Sequence, residues 1–249
     1  MIVQNLYLNN PKKGHSVLYM KNSDGYGQFC PVAKAAEVLA VKWTPVIIRE
    51  LLTGTHKFTD LKKGMPLMSP SLLSTRLLEL EAAGVIRREQ ASTGRGSEYY
   101  LTPAGEALEP IIVTQGQWAQ KWLQQNLEDR DLDPSLLMWD IHRNIDFDYI
   151  PDDRRFIVHF EFSGVPANQR RWWLLMESET ADICMKDPGH EVDVYVSSSI
   201  RTMAEIWMGK LKIPKALDEG DLVLDGPRDL GKNFLKSLKL SFFASTEGV

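Results

Sequence analysis

Ser69-Pro70-Ser71-Leu72-Leu73-Ser74-Thr75-Arg76-Leu77-Leu78-Glu79-Leu80-Glu81-Ala82-Ala83-Gly84-Val85-Ile86 is the stretch on which the reading of this chain turns. Pro70 stands where a first-turn proline is tolerated, Leu73, Leu77 and Leu80 recur at helical spacing, and Gly84 stops the run. The polar face of that helix carries Ser71, Ser74, Thr75 and Arg76. Short hydroxyls let a helix approach the floor of a major groove, and a guanidinium forks onto a guanine edge or a phosphate. Downstream, Ile86 to Gln90 and Glu98 to Thr102 read as the strands of a hairpin, and the turn Thr93-Gly94-Arg95-Gly96-Ser97 puts Arg95 at its tip. Upstream, Val32 to Leu39 and Thr44 to Leu52 keep helical spacing, with Thr44 expected as N-cap and Pro45 as the first helical residue. Phe58 begins a shorter helix closed by Gly64 and Pro66. Three helices followed by a hairpin is the order of a winged helix-turn-helix, so double-stranded DNA is the expected partner. The expected contacts are Lys62, Lys63, Ser69, Ser71, Ser74, Thr75, Arg76 and Arg95. A winged fold used only for protein contacts is the alternative.

Working outward, Thr102-Pro103 opens a capped helix expected to run as one piece through Trp118 and Trp122, which lie one turn apart and suit a helix interface. Residues 1–27 carry Asn-Asn-Pro, Lys-Lys-Gly and Asp-Gly with no period and are expected to be a flexible extension, with Met20 a candidate natural start. The winged domain then covers 28–125, the acidic, proline-terminated stretch opening 126–153 reads as a linker, and 154–249 forms a second domain. The formal net charge of −4 divides unevenly. Residues 28–125 hold 11 Lys and Arg against 9 Asp and Glu, whereas 126–249 hold 15 against 23. A DNA-facing surface must therefore come from the first domain, with the acidic half turned away.

The second half changes period. Phe156, Val158, Phe160 and Phe162 alternate with more polar positions, as do Val192, Val194 and Val196, and Arg171 to Glu177 reads as a strand covered on both faces. Ile200 to Lys210 and Leu230 to Phe243 read as amphipathic helices, Ile213 to Glu219 as a shorter one and Asp221 to Leu224 as a last strand. The expectation is an α+β layer: one predominantly antiparallel sheet with helices on one side.

The composition, 43% hydrophobic and 25% charged over 249 residues, is that of an ordinary globular protein. The longest bulky apolar run, Trp172 to Met176, cannot cross a bilayer, so no membrane partner and a cytoplasmic location are expected. The two cysteines lie in different domains and the five histidines share no ligand spacing, which predicts neither disulfides nor a metal site. No nucleophile triad, phosphate loop or dinucleotide fingerprint occurs, so no catalytic residue and no cofactor are expected. Cys30, just before Pro31 at a helix entrance, is a candidate redox sensor. The competing reading is a small apolar residue packing at a dimer base. Cys184, inside a strand, is expected in the core.

Beyond these patterns, Phe29 to Trp122 resembles the HxlR-type, MarR-like winged-helix transcription regulators. The match rests on Cys30-Pro31, Val41-Lys42-Trp43-Thr44, Ile48-Arg49-Glu50-Leu51, Phe58-Thr59-Asp60-Leu61, Ser69-Pro70, Leu77 to Glu81, Gly84-Val85-Ile86 and Glu98 to Thr102. The resemblance implies a homodimer joined by its terminal helices, with two recognition helices in successive major grooves. Val41 replaces the family's usual glycine, and the wing lacks the family's proline. From about Phe156 to Ala244 the chain resembles a sterol carrier protein type 2 domain, chiefly through Val192 to Val196, Thr202 to Leu211 and Ala216 to Gly226. That likeness implies a small hydrophobic ligand. Trp172, Met203, Trp207, Leu211 and Phe234 are the candidate lining, drawn from a bulky apolar set that also reads as plain core. The function expected is a sequence-specific, dimeric transcription regulator controlled by such a ligand. A lipid carrier whose winged helix is a dimerisation scaffold is the alternative.

Overall fold

Four helices and a hairpin come first among the described residues. The computed structural model describes residues 25–91, 94, 96–123 and 127–245. Helices α1 (Pro31–Leu39), α2 (Thr44–Leu52), α3 (Phe58–Lys63) and α4 (Pro70–Ala82) are followed by strands β1 (Ile86–Gln90) and β2 (Ser97–Leu101). Ser69 Oγ accepts the Leu72 N–H at 3.2 Å and so starts α4. The cap of α2 differs from expectation. Trp43, in the left-handed region at φ 79°, is the N-cap, and Thr44 is the first helical residue, buried without a capping bond. The apolar faces of α2, α3 and α4, with Met65, Met68, Val85, Ile86 and Leu101, close over one core.

The segment after β2 is two helices rather than one. Thr102 caps α5 (Pro103–Glu106) through the Gly105 N–H, and α6 (Glu109–Trp122) restarts with Pro110 in its first turn. Pro110 has no N–H to give to the Glu106 carbonyl and so cannot continue α5, while Gly105 packs closely, a Cβ there lying 2.2 Å from the Val85 carbonyl oxygen. The His56 carbonyl accepts the Tyr99 N–H at 2.9 Å, and Lys57 bridges Glu98, so the turn before α3 lies beside β2.

Residues 134–150 depart from the expected linker. Asp133 caps α7 (Pro134–His142), and Leu137, Met138, Ile141, Ile145 and Ile150 are buried in the second core. An acidic run directly before this helix hides its apolar face from a reading by composition. The sheet comprises β3 (Phe156–Ser163), β4 (Arg171–Glu177), β5 (Thr180–Cys184), β6 (Val194–Ser199) and β7 (Leu222–Asp225), ordered β5-β4-β3-β6-β7. Only β3 and β6 are parallel; Phe160 pairs with Trp172 on one side and Val196 on the other, which places these residues on the core face. Helices α8 (Ile200–Trp207), α9 (Ile213–Asp218) and α10 (Arg228–Ser237) complete that core. Helix α10 stops short of Phe243 because Leu238 turns extended and bridges Ile145. Cys184 is half-buried at the end of β5, a sheet edge, rather than in the core.

The two units meet along a seam. Glu50, on α2 and fully buried, receives Arg143, the C-cap of α7, at 2.7 Å and its own neighbour Arg49 at 2.5 Å, while Trp139 Nε1 lies 3.5 Å away. Gly64 makes room for this carboxylate, since a Cβ there would sit 2.2 Å from Glu50 Oε2. At the other end, Phe243 lies on α6 at Gly116, where a Cβ would meet its ring at 2.4 Å. Among the described residues no helix is long and apolar enough to cross a membrane.

Candidate nucleic-acid interface

Helix α4 turns Leu73, Leu77 and Leu80 inward and leaves Ser71, Ser74, Thr75 and Leu78 exposed as a continuous stripe. Leu67, in the turn before it, is 76% exposed. Three hydroxyls and no acidic side chain over the first two turns form a surface that can lie against base edges and phosphates. Thr75 Oγ1 donates to the Ser71 carbonyl at 3.1 Å, so its methyl group is the part left outward for an apolar contact. Ser69 is exposed beside Ser71 but is occupied as the cap.

The basic residues are distributed differently from the sequence expectation. Arg76 is half-buried; its guanidinium bonds Glu79 and its Nε lies 3.4 Å from the Lys42 carbonyl. Lys62 Nζ donates to the carbonyls of Met65 and Pro66, closing the turn between α3 and α4. Lys63 pairs with Asp60 at 2.9 Å and stands 4.8 Å over the Trp139 ring, at the seam. Lys62 is half-buried by these bonds, whereas the Lys63 side chain stays 52% exposed. Arg95 lies outside the described residues.

Lys42 is a further basic residue close to α4. Its side chain is exposed, and its carbonyl is the one Arg76 reaches, so it stands next to α4 at the start of α2. The signal available in sequence was only a lysine before a helix-initiating Thr44-Pro45. On the wing, Arg88 is exposed with Nε donating to Ser97 Oγ at 2.8 Å, and Arg87 is tied to Glu89 and the Leu101 carbonyl.

Cys30 stands at the N-cap of α1, where the Ala33 and then the Val32 backbone N–H groups hold its thiol below the ordinary range. At the seam, burial acts to raise Glu50, but the Arg143 and Arg49 guanidinium groups outweigh it and the net shift is down. Burial pushes the Asp140 carboxyl up and holds His142 below the usual imidazole range. Of the five candidate ligand residues, Trp172, Met203 and Phe234 are each under 4% exposed, whereas Trp207 and Leu211 are half-buried beside the same core. No group of three or more potential metal ligands is found among the described residues.

Residues 38–127 match the HxlR-like helix-turn-helix family profile, a span holding α2 through α6. The HTH-type transcriptional regulator YvaP of Bacillus subtilis is 36% identical over 104 residues, which are 41% of this chain and 96% of that protein. The chain belongs to the HxlR-like helix-turn-helix family. A second HTH-type transcriptional regulator of the same organism, YdeP, is 33% identical over 37% of this chain and 73% of its own length. Among solved structures, the reduced form of the transcriptional regulator YodB from B. subtilis covers 39% of this chain and 97% of its own, at 28% identity and a TM-score of 0.35. The two curated relatives, YvaP and YdeP, are transcription regulators rather than enzymes. This HxlR-like protein is therefore a transcriptional regulator, and its family match stops at residue 127, before the second unit.

Proposed function

We propose that this HxlR-like protein binds specific double-stranded DNA as a homodimer, with α4 in the major groove, the wing beside it and the second unit as the regulatory part. The exposed hydroxyl stripe of a capped α4 carries this reading. For the dimer, the support is an apolar surface: Trp118 and Trp122 on α6 are each more than half exposed, with Ile111 on the same helix and Val32 on α1 also exposed. Exposed patches of this kind mark association surfaces. A two-fold dimer would set two α4 helices to half-sites about one turn, roughly 34 Å, apart.

Control by a small hydrophobic ligand belongs to the same reading. It is supported by the sterol-carrier-like pattern of residues 192–226, and entry at Trp207 and Leu211 needs the least disturbance of core. The carrier alternative draws less support, because three of its five lining candidates are core side chains.

Fluorescence anisotropy with DNA from upstream of the protein's own gene tests the reading. Ser74→Glu puts a carboxylate on the exposed stripe and should weaken specific binding by about 1–3 kcal/mol without changing Tm. Unchanged affinity in that variant, or no specific complex of the parent at moderate salt, would refute it.

A further inference from the structure

Beyond Pro70 in its first turn, the exposed side chains of α4 are Ser71, Ser74, Thr75, Leu78, Glu81 and Ala82. In a major groove, guanine is read best by a free arginine or lysine, and adenine by asparagine or glutamine. That face offers none of the four. The helix's one arginine, Arg76, is half-buried and bonded to Glu79. The exposed cations Lys42 and Arg88 belong to other elements, the turn before α2 and strand β1.

Hydroxyls and methyls are what the face presents instead. Thr75 donates its hydroxyl to the Ser71 carbonyl at 3.1 Å, which leaves its methyl group outward. Leu78 is 59% exposed and stands seven residues beyond Ser71, two helical turns, so the two side chains leave the helix in the same direction. Leu67, 76% exposed in the turn before the Ser69 cap, flanks the other end of the hydroxyl patch. Single exposed leucines are ordinary on a protein surface. Two of them bracketing a patch that enters a groove are matched there by one base edge, since only thymine carries a methyl group in the major groove. Of the carboxylates on α4, Glu79 is held by Arg76, and Glu81 is exposed in the last turn. Glu81 would repel a phosphate, so the DNA-facing length ends at Leu78.

We propose that α4 selects its half-site through the 5-methyl groups of thymine, packed against the Thr75 methyl and the Leu78 and Leu67 side chains, with Ser71 and Ser74 bonding base edges of any kind. The base pairs under α4 are then A·T pairs. This specificity rests on the DNA-binding reading above. Covering one methyl group with an apolar side chain is worth about fourfold in affinity, so several such contacts in each half-site suffice for a measurable preference.

Fluorescence anisotropy of the full chain on DNA from upstream of its own gene, synthesised with thymine or with uracil throughout, tests the proposal. Uracil keeps every hydrogen-bonding group of thymine and lacks only the 5-methyl. The parent should bind the uracil DNA at least about tenfold more weakly, whereas its non-specific binding to an unrelated sequence should change less than about twofold. Thr75→Ser keeps the hydroxyl and removes the methyl. Combined with Leu78→Ala, it should weaken binding to thymine DNA and make the thymine-to-uracil ratio at least about threefold smaller. Both positions are exposed, so Tm should not move. A specific complex indifferent to uracil would overturn the proposal and leave the DNA-binding reading standing. A double variant that keeps the parent's ratio would assign the loss to altered DNA shape and overturn it equally. Absence of any specific complex would remove the DNA-binding reading and this specificity with it.

Discussion

Gly64→Ala is the sharpest perturbation of the seam. The residue ends α3 at φ −69° and ψ −8°, a right-handed conformation that alanine adopts freely, so backbone strain contributes nothing. The added Cβ would stand 2.2 Å from Glu50 Oε2 and 2.3 Å from its Cδ. Relief requires the carboxylate to retreat by roughly 1 Å, which stretches the 2.7 Å bond to Arg143 beyond hydrogen-bonding range. Both partners lie inside the protein, Glu50 with no exposed side-chain surface and Arg143 with 16%. Breaking such a buried pair costs about 3–5 kcal/mol, offset by roughly 0.4–1 kcal/mol gained when glycine leaves the unfolded chain. A net loss of about 2–4 kcal/mol follows, on the order of 10 °C in Tm for a chain of this size. Urea and thermal unfolding of the four members of a cycle with Glu50→Ala measure it. Without the carboxylate, Gly64→Ala should cost less than about 0.5 kcal/mol. A cost below about 1 kcal/mol in the parent, or the same cost in both backgrounds, would show that Gly64 does not hold space for this ion pair.

Three further expectations follow from particular side chains. Lys42→Ala should weaken all DNA sequences alike and reduce the salt slope by about 1, whereas Arg76→Ala, which frees Glu79 and the Lys42 carbonyl, should also lower Tm. Relaxed discrimination at one base pair on Arg76→Ala would instead show that the guanidinium leaves Glu79 to read a base. Tm should fall as pH drops from 7 toward 5, because His142 stays neutral in the fold while the unfolded chain takes up the proton first. It should fall again as Glu50 protonates through its depressed folded value, partly offset by Asp140, whose raised value favours the fold in acid. His159, also held down by burial, contributes to the same limb, so His142→Phe should shrink it and the double change with His159→Phe remove it; an unchanged slope between pH 5 and 7 in His142→Phe would exclude this origin. Iodoacetamide should alkylate Cys30 with a pH midpoint below that of free cysteine, a limb lost in Cys30→Ser; a midpoint at the ordinary thiol value would refute the role of the α1 amides.

Local rules explain which parts of the protein were legible in its sequence. Caps, prolines and leucine spacing act within a few residues, so Ser69-Pro70 with Leu73, Leu77 and Leu80 determined both the start of α4 and the face it buries. The alternation of Phe156 to Phe162 likewise determined the core face of β3. Which polar side chains remain available to a ligand is a different question, since it depends on partners brought from elsewhere. Arg76 meets a carbonyl 34 residues away, Lys63 meets Trp139, and Glu50 meets Arg143 at a separation of 93. None of these pairings has a period or a motif. The buried charge of Glu50 is tolerable only because the second unit supplies its counter-charge, and Gly64 its space. The sequence by itself therefore determined the winged helix and its exposed hydroxyl stripe. Tertiary structure alone decided which cations face outward and that residues 134–150 join two units instead of separating them, because desolvated charges and packed rings are satisfied across the chain, not along it.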